Sequence, residues 1–273
     1  VLTEKGDKLY GLGAWDMKAG VAAVLSSVKN FTNKNRSIKM AFVVDEENVS
    51  LGMHTLIKSG WLKDVVGAIV PEPGFTYGMK GIAMGRIGRP VFTILVKTKG
   101  GHVYLAKDRV NAIEEASKVL EILREIKPVS HRDLGSSFLF PRAIISKAQS
   151  MEIPDKVEIE AEGQTVPPQT TESVYKEIEN AIARERKNGK ISAEVFVEPI
   201  SRPTPFCEPY VIDRKSSFVK IVSGILENTL KEKPVFYYRR SVGDENRVAQ
   251  LGIPVLTIGP AGGNAHEANE WVS

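Results

Sequence analysis

Acidic residues and one histidine follow apolar runs at separate points of the chain. Asp45-Glu46-Glu47 comes directly after one run, Glu72 lies between two prolines after a second, and His266 follows a third across a glycine-rich loop. A further carboxylate, Asp16, stands just after Gly11-Leu12-Gly13. Ligands of open α/β sheets bind beyond the carboxyl ends of the strands. If the apolar runs are strands of one sheet, these side chains meet at one of its edges.

Adjacent carboxylates in a crevice repel one another unless a positive group neutralises them, and a divalent metal ion is one such group. Carboxylates combined with imidazole suit zinc, and two ions about 3.5–4 Å apart can share a bridging carboxylate. A carboxylate that binds no metal could act as a base toward water. Taken singly, these residues fit solvated loop positions equally well, and Asp16 fits the N-cap of a helix. The spacing alone leaves both interpretations open.

The apolar patterning predicts the elements that would position these residues. Before residue 89 it indicates a helix over 16–31, a buried strand over 38–44, a helix over 50–59 and a buried strand over 65–70. After residue 203 it indicates a helix over 215–230, a strand over 235–238, a helix over 244–251 and a strand over 253–258. This alternation predicts an α/β fold with a mixed, largely parallel sheet.

The middle of the chain has a different pattern. It predicts a strand over 91–97, a helix over 111–126, strands over 143–148 and 157–161, a helix over 171–187 and a strand over 193–198. A β-α-β-β-α-β order is typical of a ferredoxin-like α+β unit. We therefore expect a discontinuous α/β domain, residues 1–88 plus 200–273, interrupted by an inserted domain over residues 89–199.

Composition excludes several other classes of protein. The 37 Lys and Arg residues against 33 Asp and Glu residues give a net charge of +4 over 273 residues, without a long basic block. Nucleic acid is therefore not an expected partner. No apolar run approaches the ~20 residues that span a bilayer, so we expect no membrane partner. The single Cys207 cannot form an intrachain disulfide, which fits a reducing compartment, and we expect a cytoplasmic protein.

Four segments resemble the motifs of one enzyme family. Residues 11–18 (GLGAWDMK) look like the Gly-x-Gly-x-x-Asp-Met-Lys motif of the zinc-dependent aminoacylase and carboxypeptidase family. That family includes acetylornithine deacetylase, succinyl-diaminopimelate desuccinylase and glutamate carboxypeptidase. Asp45-Glu46-Glu47, Pro71-Glu72-Pro73 and residues 262–270 (GGNAHEANE) resemble its Asp-Glu-Glu, Glu-Pro and His-x-x-Asn-Glu motifs, in the family's order.

The resemblance implies a role for each of these residues. Asp16 would bridge two zinc ions, Glu47 and His266 would bind one of them, and Glu72 would bind the other. Glu46 would be the general base and acid. The implied cofactor is zinc, one or two ions, with cobalt as a possible substitute. The implied reaction is hydrolysis of an amide bond in an N-acyl amino acid or small peptide by a zinc-activated water, as in a deacylase, carboxypeptidase or dipeptidase of amino-acid metabolism.

The inserted domain carries one more likeness. Lys99-Gly100-Gly101-His102 resembles the family's Gly-x-x-His stretch, in which the histidine enters a partner subunit's active site and polarises the scissile carbonyl. The resemblance thus makes His102 a catalytic candidate. It also implies a homodimer, with the inserted domain serving as lid and dimerisation surface.

The chain departs from the family pattern in two ways. The family's first zinc ligand lies in a His-x-Asp motif upstream of the Gly-x-Gly segment, whereas this sequence opens at Val1, so we expect a catalytic domain that lacks its N-terminal and C-terminal ends. Gln164 stands where the family has an arginine that binds the substrate carboxylate, and glutamine cannot form that charged fork. Arg239, Arg240 or Arg247 could supply a substitute charge, and Arg247 is our candidate. The alternative function is a shortened, non-catalytic member that acts as a binding or dimerising module.

Overall fold

The computed structural model describes residues 2–29, 31–32 and 37–273. Its α-helices are α1 (Ala19–Lys29), α2 (Leu51–Lys58), α3 (Ala112–Glu125), α4 (Thr171–Lys187), α5 (Ser217–Leu230) and α6 (Asp244–Ala249). Its strands are β1 (Thr3–Lys5), β2 (Lys8–Tyr10), β3 (Ala68–Val70), β4 (Gly81–Arg86), β5 (Val91–Lys97), β6 (Gly101–His102), β7 (Ser130–His131), β8 (Gly135–Ser136), β9 (Phe138–Ser146), β10 (Glu152–Ile153), β11 (Lys156–Gln164), β12 (Glu194–Pro199), β13 (Tyr210–Val211), β14 (Val235–Arg239), β15 (Val255–Thr257), β16 (Gly262–Gly263) and β17 (Trp271–Val272). Among the described helices, none is long and apolar enough to cross a membrane.

The chain folds into two compact units, the first formed by residues 1–86 with 210–273 and the second by residues 87–209. Residues 200–209 thus lie with the second unit, although the sequence pattern groups them with the first. Hydrogen bonds account for this placement. The backbone N–H of Arg89 donates to the carbonyl of Cys207 at 3.0 Å, and the N–H of Thr171 donates to the Glu208 carboxylate at 2.9 Å.

The main sheet of the first unit is mixed, as the sequence predicts. Its order is β13-β4-β15-β3, with β14 also paired to β4. The β4–β14 and β15–β3 pairs are parallel, whereas β13 and β15 pair with β4 in antiparallel fashion. Neighbouring side chains of β15 point to opposite faces. Val255 packs in a cluster with Met53 and Val248, and Leu256 packs in another with Val219 of α5. Helices therefore cover both faces of this sheet.

The prediction of a buried strand over 38–44 is wrong. Residues 38–44 contain no strand, and Ile38, Phe42 and Val44 are 53%, 53% and 73% exposed. An apolar run becomes a strand only when a neighbouring strand pairs with its N–H and C=O groups. Among the described residues no strand pairs with this run, and β3 is the last strand on its side of the sheet.

Two other elements differ from the sequence pattern. The helix predicted over 16–31 begins only at Ala19, because Asp16 (φ −110°, ψ 92°) and Met17 (φ −131°, ψ 33°) have non-helical backbone angles; residue 30 lies outside the described residues. The patterning also misses β4, whose six residues are all buried. With two glycines and an arginine in GIAMGR, β4 lacks the continuous apolar run that indicates a buried strand.

The second unit has the predicted β-α-β-β-α-β order. Its antiparallel sheet runs β12-β5-β11-β9. Val119 and Ile122 of α3 pack with Ile178 of α4 in one core cluster that also contains Ile94 and Ile159 of the sheet. Both helices therefore lie on the same face of this sheet.

Candidate metal centre and catalytic site

A buried carboxylate fixes the loop that carries Asp16. Glu270 is 3% exposed, and its Oε1 accepts the backbone N–H groups of Trp15 at 2.9 Å and Asp16 at 2.8 Å. Its Oε2 accepts the N–H of Gly13 at 2.5 Å. Burial alone would raise the pKa of Glu270, but these three N–H donors outweigh it and hold the pKa below its ordinary value. Glu270 thus acts as a brace for Asp16.

Asp16 meets Glu47 and His266, which come from distant parts of the sequence. His266 Nε2 lies 2.9 Å from Glu47 Oε1 and 3.2 Å from Asp16 Oδ2. One ligand atom from each residue falls within 4.8 Å of the others. The two carboxylates, with Glu47 contributing most, raise the pKa of His266. Three of the predicted metal ligands therefore converge.

Two further carboxylates line the same cavity, whose volume is about 550 Å³. Burial, together with Asp244 and Glu245, raises the pKa of Glu46 to about 7. Burial, together with Glu245 and Asp16, raises the pKa of Glu72 to about 8. Asp16, Glu47 and His266 are also among the lining residues. Five of the residues that the sequence singles out thus line one cavity: Asp16, Glu46, Glu47, Glu72 and His266.

A close approach of two backbone segments fixes Glu72. A Cβ atom added at Gly259 would lie 1.8 Å from the carbonyl oxygen of Glu72. Only glycine therefore allows the chain leaving β15 to pass this near to the end of β3. On the same loop, the carbonyl of Pro260 accepts the indole N–H of Trp15 at 2.7 Å.

A buried ion pair beneath the cavity has no counterpart in the sequence-based reasoning. Arg86 Nη2 donates to Glu245 Oε1 at 2.6 Å, and both residues are at most 1% exposed. Arg86 Nη1 donates to the carbonyl of Val242 at 2.9 Å, and Thr257 Oγ1 donates to Glu245. Burial would raise the pKa of Glu245, yet Arg86 keeps it lowered. The signal in the sequence was the acidic pair Asp244-Glu245 at the start of a predicted helix.

The remaining candidates are not among the described residues that line this cavity. Arg247 is 2% exposed, donates through Nη2 to the carbonyl of Val49 at 3.1 Å, and is not among the described residues that line the cavity. His102 and Gln164 belong to the second unit. His102 is exposed in β6, where its Nδ1 accepts the N–H of Tyr104 at 3.3 Å. Gln164 ends β11, opposite Phe138.

The donor chemistry of the converging residues fits a zinc ion. Carboxylate oxygens and the nitrogen of a neutral imidazole both bind zinc, and a site with three protein ligands leaves the fourth position open for water or substrate. Asp16 Oδ2, Glu47 Oε1 and His266 Nε2 would supply those ligands. For a second ion, only two ligands are predicted, Asp16 and Glu72. A catalytic zinc site usually has three ligands from the protein.

Comparison with known proteins identifies the family. Residues 1–273 match the peptidase family M20/M25/M40, and the chain belongs to that family. The chain is 25% identical over 279 residues to succinyl-diaminopimelate desuccinylase of Sulfurimonas denitrificans, covering 99% of this chain and 72% of that protein. The corresponding enzyme of Helicobacter hepaticus is 24% identical over 287 residues, with 99% and 69% covered. The family resemblance seen in the motifs is thereby confirmed, and the chain is that of a metallohydrolase.

Solved structures show the same fold. The aminopeptidase PepT of Bacillus cereus superimposes with a TM-score of 0.79 at 16% identity, covering 100% of this chain and 71% of that one. A tripeptidase of Staphylococcus aureus gives a TM-score of 0.75 at 19% identity, covering 99% and 70%. A metallo-carboxypeptidase of the M20 family from Sulfolobus solfataricus gives 0.70 at 17% identity, covering 99% and 74%.

Proposed function

We propose that this protein hydrolyses the amide bond of an N-acyl amino acid or small peptide in amino-acid metabolism. The observation that carries the proposal is the convergence of Asp16, Glu47 and His266 beside Glu46 in one cavity. Family membership supports it, as do the relatives named as a desuccinylase, a tripeptidase and a carboxypeptidase. The desuccinylase relatives favour an acyl amino acid among these substrates.

Each residue has a distinct part in the proposed reaction. Asp16, Glu47 and His266 would hold zinc, for which cobalt could substitute, and Glu72 would be a ligand of a second ion. Zinc bound there would supply a Lewis acid that lowers the pKa of a water molecule and polarises the substrate carbonyl. The Glu46 carboxylate takes a proton from the attacking water and returns it to the leaving amine nitrogen.

The inserted unit has a proposed role as well. In a homodimer, His102 would enter the active site of the partner subunit and polarise the scissile carbonyl of the substrate bound there. The outer strand β9 supports an interface there, since Phe138, Phe140 and Ile144 are 46%, 37% and 53% exposed. Light scattering tests this role: a monomer at the concentration used for catalysis would contradict it.

The decisive experiment replaces Glu46 with glutamine. Glutamine keeps the size of the side chain but cannot take the proton, so turnover should fall by roughly 10²- to 10⁴-fold while bound zinc is unchanged. Turnover is measured on N-acetyl and N-succinyl amino acids and on dipeptides, with zinc content from the same samples. Glu267→Gln makes the same chemical change at an exposed neighbour of His266 and should leave both quantities unaltered.

Near-normal turnover in the Glu46→Gln protein would refute the assigned base. A zinc-loaded wild-type protein that hydrolyses none of these substrates would refute the enzyme assignment itself. That second result would favour the alternative, a non-catalytic binding or dimerising module.

A further inference from the structure

Three arginines line the cavity in addition to its carboxylates. Arg86, Arg239 and Arg240 are among its lining residues. The guanidinium of Arg86 is already engaged by Glu245, by Ser241 and by the carbonyl of Val242. Arg240 is exposed to solvent, where water satisfies its charge. Arg239 differs from both of them.

Arg239 is buried and positively charged, but it does not donate a hydrogen bond to any carboxylate of the described residues. It ends β14, is 9% exposed, and stacks over the ring of Phe75 with its guanidinium carbon 4.6 Å from the ring centroid. Its Nη1 is buried and makes no hydrogen bond with any described residue. Burial, reinforced by the positive charge of Arg86, lowers the pKa of Arg239. Burying a charge without a hydrogen-bonded partner costs free energy. An anion that accepted hydrogen bonds from Arg239 would offset that cost.

The nearby carboxylates of the chain make no hydrogen bond with Arg239, although the charges of Glu245 and Glu72 act on it and oppose the effect of burial on its pKa. Oε1 of Glu245 accepts from Arg86 and from Thr257. Asp16 and Glu47 turn their oxygens toward His266. Since none of these carboxylates hydrogen-bonds to Arg239, an anion that accepts from its guanidinium would come from outside the chain, through the cavity that Arg239 lines.

We propose that Arg239 binds a carboxylate of the substrate. The inference rests on the proposed function and narrows its substrate class to acyl amino acids and peptides with a free carboxylate near the scissile bond. An anionic substrate entering a cavity lined by Asp16, Glu46, Glu47 and Glu72 meets repulsion that a fixed cation offsets. A guanidinium is planar and can donate two parallel N–H groups to a carboxylate, and the ring of Phe75 lies against that of Arg239. It would perform the role that Gln164 cannot.

The test compares a carboxylate with its neutral amide, in catalysis and in binding. For catalysis, a dipeptide and its C-terminal carboxamide are assayed with zinc-loaded wild type, Arg239→Met and Arg239→Lys. Arg239→Met should lower kcat/KM for the acid by roughly 10- to 100-fold, mostly through KM, and change that of the amide by less than about threefold. Arg239→Lys keeps the charge without the fork and should fall between.

A matched control removes another ring-stacked arginine of the same unit. Arg214 lies 4.3 Å above the ring of Phe236 and is exposed outside the cavity, so Arg214→Met should leave the acid-to-amide ratio unchanged. A structural role for Arg239 would lower the melting temperature and both kcat/KM values together, leaving their ratio intact.

Calorimetric titration with succinate and succinamide provides a readout that needs no turnover. Wild type should bind succinate, and Arg239→Met should bind it roughly 10- to 100-fold more weakly. Equal succinate affinity in the two proteins, or no binding by wild type, would overturn the proposal. Weakened succinate binding in Arg239→Met together with no hydrolysis by any protein would support Arg239 as a carboxylate site and refute the proposed function alone.

Discussion

Replacing Glu270 with glutamine should loosen the loop that presents Asp16 to the metal site. Oε1 of Glu270 holds the N–H groups of Trp15 and Asp16, and a glutamine oxygen could keep both. The second oxygen accepts the N–H of Gly13. A glutamine NH₂ group in its place is a donor, so two hydrogen-bond donors would face each other. One charge-assisted hydrogen bond is lost and one buried N–H is left without an acceptor.

The expected cost follows from that single loss. A hydrogen bond to a charged group contributes about 1.5–3 kcal/mol, so Glu270→Gln should destabilise the protein by about 2 kcal/mol. At 2–4 °C per kcal/mol for a unit of this size, the melting temperature falls by roughly 4–8 °C. Residues that orient metal ligands typically change metal affinity 10- to 100-fold when they are replaced, and about 10-fold weaker zinc binding is expected here. Glu270→Ala removes all three acceptors and should be more severe in both respects.

The assays are thermal unfolding of the metal-free protein and zinc titration against a chelator of known affinity. Glu267→Gln serves as the control, because that side chain is exposed in the same loop. If Glu270→Gln melted and bound zinc as the wild type does, Glu270 would not be the brace of Asp16. Loss of stability with unchanged zinc affinity would confine its role to folding.

Two further predictions concern buried carboxylates. Glu245→Ala leaves the Arg86 guanidinium buried without its partner, so the free energy of unfolding, measured with denaturant, should fall by about 3–5 kcal/mol. The double variant Arg86→Met/Glu245→Met should recover most of that loss. A loss below about 1 kcal/mol in Glu245→Ala would contradict the importance of the pair. In the second unit, burial would raise the pKa of Glu115, but Lys118 and the N–H groups of Ala193 and Ser192 lower it. That carboxylate stabilises the fold fully above its unfolded pKa and loses its contribution as pH falls through the lower folded pKa, so the melting temperature of Glu115→Gln should vary less than that of wild type between about pH 5 and pH 3. Parallel pH curves for the two proteins would refute this assignment.

The local apolar pattern predicted an element correctly where the side chains of that element pack one of its faces against the core. The strand predicted over 91–97 and the helix predicted over 171–187 have those bounds in β5 and α4. The same pattern failed where pairing with neighbouring strands decides whether a segment forms a strand. Residues 38–44 have the composition of a buried strand and no partner, whereas β4 has an unfavourable composition and is paired to β13, β14 and β15. The location of a strand within the sheet is not a property of its own residues.

The sequence by itself determined the family and the set of metal-binding and acid–base candidates, because those chemical types stand at fixed spacing within recognisable motifs. The tertiary structure alone decided how they are held. Glu270 faces the N–H groups of residues 254 or more positions earlier only once β17 pairs with β2, and Arg86 meets Glu245 only across the sheet. The unmatched Arg239 is likewise apparent only in three dimensions. Burial and the direction of a hydrogen bond arise from contacts between distant segments, which spacing along the chain does not encode.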